Sequence, residues 1–74
     1  MNKKTQKIYI NSDYITLAQF LKFADVIRSG GEAKLFLKEN KVYVNEELDT
    51  RRGKKLREGD VVKVDDQVFE ILKQ

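Results

Sequence analysis

Hydrophobic and polar positions change period several times along this chain. In residues 7–11, KIYIN, Ile8 and Ile10 share one face while Tyr9 takes the other, the two-residue period of a strand. Over residues 15–31, ITLAQFLKFADVIRSGG, the period lengthens, and Leu17, Phe20, Leu21, Ala24 and Ile27 fall on one helical stripe. Thr16 and Gln19 form a T-x-x-Q capping box, and Ile15 and Phe20 have the spacing of a hydrophobic staple. Gly30 is placed to take the left-handed conformation that stops this helix. A second helix is expected within residues 29–40, SGGEAKLFLKEN. It opens on an S-x-x-E box of Ser29 and Glu32 and shows an apolar face of Ala33, Phe36 and Leu37. Asn40 suits its end, because Asn tolerates positive φ.

Alternation returns in residues 41–45, KVYVN, with Val42 and Val44 inward. EELDT then turns the chain into a basic run. EGD at 58–60 reads as a turn, VVKV at 61–64 as a strand, and DDQ at 65–67 as a tight connection into a last strand, VFEIL at 68–72. No internal repeat, linker or low-complexity segment interrupts this order. A strand, two tandem helices and a strand-rich second half describe a small α+β domain. With 74 residues, one domain spanning 1–74 is expected. A chain this short buries only roughly 60% of its unfolded surface, which leaves little of it for an elaborate active site.

Composition narrows the chemistry. The chain has no Cys, so neither a disulfide framework nor thiolate chemistry is available. It has no His, which removes the commonest general base and the commonest transition-metal ligand. Asp65-Asp66 reads as a hairpin turn rather than a catalytic carboxylate pair, and Glu46-Glu47 as a solvent turn. SGGEAK lacks the spacing of a phosphate-binding loop, and no nucleophile stands beside a base. No enzyme, cofactor, small-molecule substrate or metal site is therefore expected. No apolar run approaches a membrane span or a signal-peptide core, so no membrane partner is expected and the cytoplasm is the expected compartment.

The net charge of +3 is unevenly spread. Residues 1–57 carry 13 basic and 7 acidic groups, a net of +6, whereas residues 58–74 carry 2 basic and 5 acidic groups, a net of −3. Five of the seven residues from Arg51 to Arg57 are basic: Arg51, Arg52, Lys54, Lys55 and Arg57. Such a run is either a solvated loop or a surface for a polyanion, which would relieve its self-repulsion. Arg adds a planar fork suited to phosphate. Leu56 is placed to anchor the segment to the core. Gly30 and Gly31 lie at the amino end of the second helix, either as a plain helix-helix corner or as a place where backbone N–H groups meet an anion, with Lys34 one turn on. Lys34 and Lys38 form either a solvated helix face or part of the same surface. The lack of aromatics in the basic patch argues against single-strand stacking. Tyr43 is the one aromatic that could stack, with covering the sheet as its alternative role.

Ser29, Ala33-Lys34, Leu37, Val42-Tyr43-Val44-Asn45 and Gly59-Asp60 stand in the register of the S4 RNA-binding domain. The chain resembles that family over about residues 15–64. TLAQFLKFADVIRSGGEAKLFL followed by RRGKKL is most similar to its short stand-alone bacterial form, the YaaA-like proteins. Where the family pattern has Arg after Ser, Gly before the strand and Gly after Asn, this chain has Gly30, Asn40 and Glu46. The resemblance implies the αL fold: a leading strand and two tandem helices packed on a small, mostly antiparallel sheet. It implies a monomeric, non-enzymatic module that grips structured RNA, ribosomal RNA above all, with a role in large-subunit assembly. The candidate RNA-binding residues are Ser29, Gly30, Gly31, Lys34, Lys38, Lys41, Asn45, Arg51, Arg52, Lys54, Lys55 and Arg57. An acidic protein partner and double-stranded DNA are the alternatives for the same basic face.

Overall fold

The computed structural model describes residues 5–74, so residues 1–4 of the expected domain span lie outside the described residues. Strand β1 (Thr5–Ile10) leads, followed by a two-residue strand β2 (Ile15–Thr16) and helix α1 (Leu17–Phe23). A single 3-10 turn (Gly30–Glu32) runs directly into helix α2 (Ala33–Glu39). The rest is extended: β3 (Val42–Val44), β4 (Glu47–Leu48), β5 (Lys55–Leu56), β6 (Val61–Val64) and β7 (Gln67–Lys73).

Five strands form one sheet in the order β1-β7-β6-β3-β4, and β2 pairs with β5 in a separate two-stranded ladder. The sheet is larger than the small one expected from the sequence. Three of its four pairings are antiparallel, but β1 lies parallel to β7, in register from Thr5 against Val68 to Ile10 against Lys73. Alternation decides which side chains go inward. Val42, Val44, Val62, Val64, Phe69 and Ile71 are buried beneath the helices, while their neighbours Tyr43, Lys63 and Val68 sit on the opposite face. Leu17, Phe20 and Leu21 of α1 and Ala33 and Leu37 of α2 close the core. The Phe20 and Phe69 rings meet edge to face, 5.1 Å between centroids.

The start of α1 follows the sequence. Gln19 N–H donates to Thr16 Oγ1 (3.2 Å) and Thr16 N–H donates to Gln19 Oε1 (2.8 Å), completing the capping box. Ile15 and Phe20, the staple pair, are both buried. Its end does not follow the sequence. The helix stops at Phe23, and the left-handed residue is Asp25, with φ 62°. Asp25 N–H donates to Lys22 O (3.1 Å) and Val26 N–H donates to Leu21 O (2.9 Å), a Schellman closure. Gly30 therefore has no capping role for α1. Ile27 is still buried, but from a connecting segment rather than from a helical stripe.

Asn40 also differs from expectation. It is extended, with φ −125°, and it closes α2 by hydrogen bonding: its backbone N–H (2.8 Å) and its side-chain Nδ2 (3.1 Å) both donate to Phe36 O. The segment expected as a plain turn after Val44 is a two-residue hairpin into β4, with Asn45 at φ 50° and Glu46 at φ 72°. Asp65 and Asp66 form the tight connection from β6 to β7, as the sequence suggested.

Candidate nucleic-acid interface

The basic run is folded onto the protein at four places. Asp49 N–H donates to Val42 O (2.9 Å), tying the start of the run to β3. The Asp49 side chain, only 9% exposed, accepts the backbone N–H of Arg51 (2.8 Å) and both arms of its guanidinium, Nε to Oδ1 at 3.1 Å and Nη2 to Oδ2 at 2.8 Å. That side-chain hydrogen bond holds the Asp49 carboxyl below its ordinary range and raises the Arg51 guanidinium above its own. Further on, the carbonyls of Lys54 and Arg52 accept the N–H groups of Leu17 (2.7 Å) and Ala18 (3.0 Å), donors that the first turn of α1 cannot satisfy itself. Finally, Leu56 is fully buried opposite Ile15 in the β2–β5 ladder. Leu56 anchors the run as its sequence position suggested.

Docked in this way, the run turns its cations outward. Arg52, Lys55 and Arg57 are exposed, Lys54 is half-buried, and Arg51 is exposed but committed to Asp49. Arg57 N–H donates to Asp60 Oδ2 (2.8 Å), which fixes where its side chain leaves the backbone. Asn45 is engaged in the same region. Its Nδ2 donates to Asp60 Oδ1 (3.0 Å) and its Oδ1 accepts the N–H of Val61 (2.9 Å), joining the β3–β4 hairpin to the turn before β6.

The second group of candidates lies along α2, the 3-10 turn that leads into it and the residues that flank them. Ser29, Gly30, Gly31, Lys34, Lys38 and Lys41 are all exposed. Glu32 reaches back so that its Oε1 accepts the N–H groups of Arg28 and Ser29 (2.6 and 3.2 Å), the carboxylate half of the expected box. Neither glycine has positive φ, and a Cβ on Gly31 would meet nothing nearer than Ser29 Oγ at 3.9 Å. The fold itself does not require glycine at either position.

Tyr14 was not legible as a site residue. Its ring lies beneath two cations of the run, with Lys55 Nζ 5.0 Å and Arg57 Cζ 5.7 Å from its centroid, within cation–π range. The basic patch therefore does contain an aromatic, contrary to the expectation from the sequence. The missing signal is the β2–β5 ladder, which brings residues 14–16 beside residues 55–57 across forty positions of chain. Tyr43 occupies the sheet face away from the helices, between Leu48 and Lys63 of the neighbouring strands. Among the described residues no group of three or more Asp or Glu could hold a metal, and no helix is long and apolar enough to cross a membrane.

Two tandem helices against a sheet, with a basic loop docked on the first of them, make up the architecture that carries the candidate residues. The family model for the S4 domain matches residues 8–72, and the chain belongs to that family. It is 60% identical over 58 residues to the probable ribosome maturation protein RlbA of Bacillus subtilis (strain 168), a match covering 78% of this chain and 82% of that protein.

Proposed function

We propose that this protein is a non-enzymatic RNA-binding module that acts in ribosome maturation. The basic run and the exposed lysines of α2 hold phosphates of structured ribosomal RNA. The observation that carries this reading is the docked run: Arg52, Lys55 and Arg57 project from a loop fastened by Leu56, by Asp49 and by the first turn of α1. Cations held in place lose less freedom on meeting a polyanion than cations on a floppy tail. The S4 family membership and the maturation role named for the Bacillus relative agree with it. Assembly of the large subunit is the stage we propose, with the protein acting as a monomer in the cytoplasm. A-form RNA hides its major groove, so shape and backbone contacts dominate over base reading within its paired regions.

The test is binding to purified ribosomal RNA over a series of salt concentrations. Replacing Arg52, Lys55 and Arg57 together with Ala is expected to leave melting unchanged, to weaken binding, and to flatten the salt dependence by about 0.7–0.9 per lost phosphate contact. An unchanged salt slope would remove the run from the interface. Preference for a DNA duplex in competition would replace RNA as the ligand.

A further inference from the structure

Scattered apolar side chains on a surface are ordinary, but three aromatic rings on one cleft are not. Tyr9, Tyr14 and Phe23 are 52%, 40% and 62% exposed. All three line one open cleft of about 340 Å³, set between the end of β1, the 11–14 turn and the outer side of α1. Asn11, Gln19 and Gln74 supply amide groups to the same wall. The Oε1 of Gln19 is engaged by the Thr16 N–H, which fixes that side chain on the rim. The turn is fixed as well: Ser12 Oγ donates to Tyr14 O (2.9 Å), and Ile15 is buried in its ladder with Leu56. Asp13, the acid nearest in sequence, is paired with Lys73 at 3.3 Å.

The feature that selects an occupant is the junction of this cleft with the basic run at Tyr14. Lys55 and Arg57 lie over a ring that also lines the cleft. A ligand that satisfies both halves carries a phosphate and, within one linkage of it, a flat apolar ring with a hydrogen-bonding edge. A nucleotide whose base is out of the helical stack has that form. We propose that the cleft receives one unpaired base of the bound RNA, held against the aromatic rings with its edge toward the amides, while its phosphate sits at Lys55 and Arg57. This rests on the RNA-binding reading above and adds that the protein distinguishes an unpaired nucleotide from an uninterrupted duplex.

The test uses two short RNA hairpins with the same stem, each carrying one 2-aminopurine, bulged out of the stem in one and paired within it in the other. The parent protein is expected to bind the bulged hairpin about tenfold more tightly, the scale of stacking one base on an aromatic ring, and to change the 2-aminopurine emission of that hairpin alone. Tyr14→Leu and Phe23→Ser are each expected to abolish the preference while leaving the salt slope as in the parent. Phe23 is largely exposed and bears little of the core, so Phe23→Ser decides the matter if Tyr14→Leu melts early. Equal binding of the two hairpins by the parent, or an undiminished preference in folded Phe23→Ser, overturns the cleft and leaves RNA binding standing. Failure of the parent to bind either hairpin while it binds purified ribosomal RNA overturns the cleft alone, and failure to bind ribosomal RNA as well overturns both.

Discussion

Among the described residues, Asp25, Asn45, Glu46 and Asp65 hold a left-handed backbone without being glycine. Asp and Asn tolerate this region because a short polar side chain can hydrogen-bond locally; Glu has no such compensation. Glu46, at φ 72° in the two-residue hairpin, therefore bears an uncompensated local cost. Glu46→Gly is expected to stabilise the protein by about 1 kcal/mol, raising Tm by about 4–8 °C for a domain of this size. A thermal melt that is unchanged or lower would show that the side chain makes up the cost elsewhere. The same set explains where the end of α1 was illegible. A search for glycine points to Gly30, whereas the chain spends its left-handed residue at Asp25, inside a stretch whose apolar spacing continues unbroken to Ile27. Periodicity reports burial, and Ile27 is buried; it does not report whether the backbone between two buried residues is helical.

At the level of elements, the basic loop and α1 complete each other. The loop lends two carbonyls to the helix start, and in return its backbone is fixed beneath its own cations. Asp49 governs the near end of this arrangement. Its carboxyl titrates lower in the folded protein than in the unfolded chain, chiefly through the Arg51 side-chain hydrogen bond. Its contribution to stability is therefore present above the unfolded value, about 3.9, and is lost as pH falls through the lower folded value. Asp49→Asn is expected to reduce Tm at neutral pH and to make the fall in Tm between neutral and strongly acidic pH shallower than in the parent. Parallel pH–Tm curves for the two proteins would mean that the fork to Arg51 contributes nothing. The helices, their N-terminal boxes, the hairpin at Asp65-Asp66 and the anchoring of Leu56 were legible in the sequence because each depends on neighbours within a few residues or on a plain apolar pattern. The β2–β5 ladder was not. Two residues on each side carry no periodicity, and so Tyr14 could not be placed beside Lys55 and Arg57.

For the molecule as a whole, the core is small enough that single residues matter to all of it. Phe20 is fully buried and meets Phe69 across the interface between helix and sheet. Phe20→Ala is expected to cost about 3–5 kcal/mol, against about 5–15 kcal/mol for an entire small domain. A circular-dichroism melt should show a largely unfolded chain or a transition far below that of the parent, and a near-parental melt would place Phe20 outside the core. The sheet adds a temporal constraint. Every residue of β1 pairs with one 63 positions later, from Thr5 with Val68 to Ile10 with Lys73. During synthesis at about 5–20 residues per second, the leading strand waits several seconds before its partner has been made. Through that interval Ile8 and Ile10 lack their partners Ile71 and Lys73, so the pairing of β1 waits for the synthesis of β7, and the helices and the basic loop are all made before the leading strand can be closed.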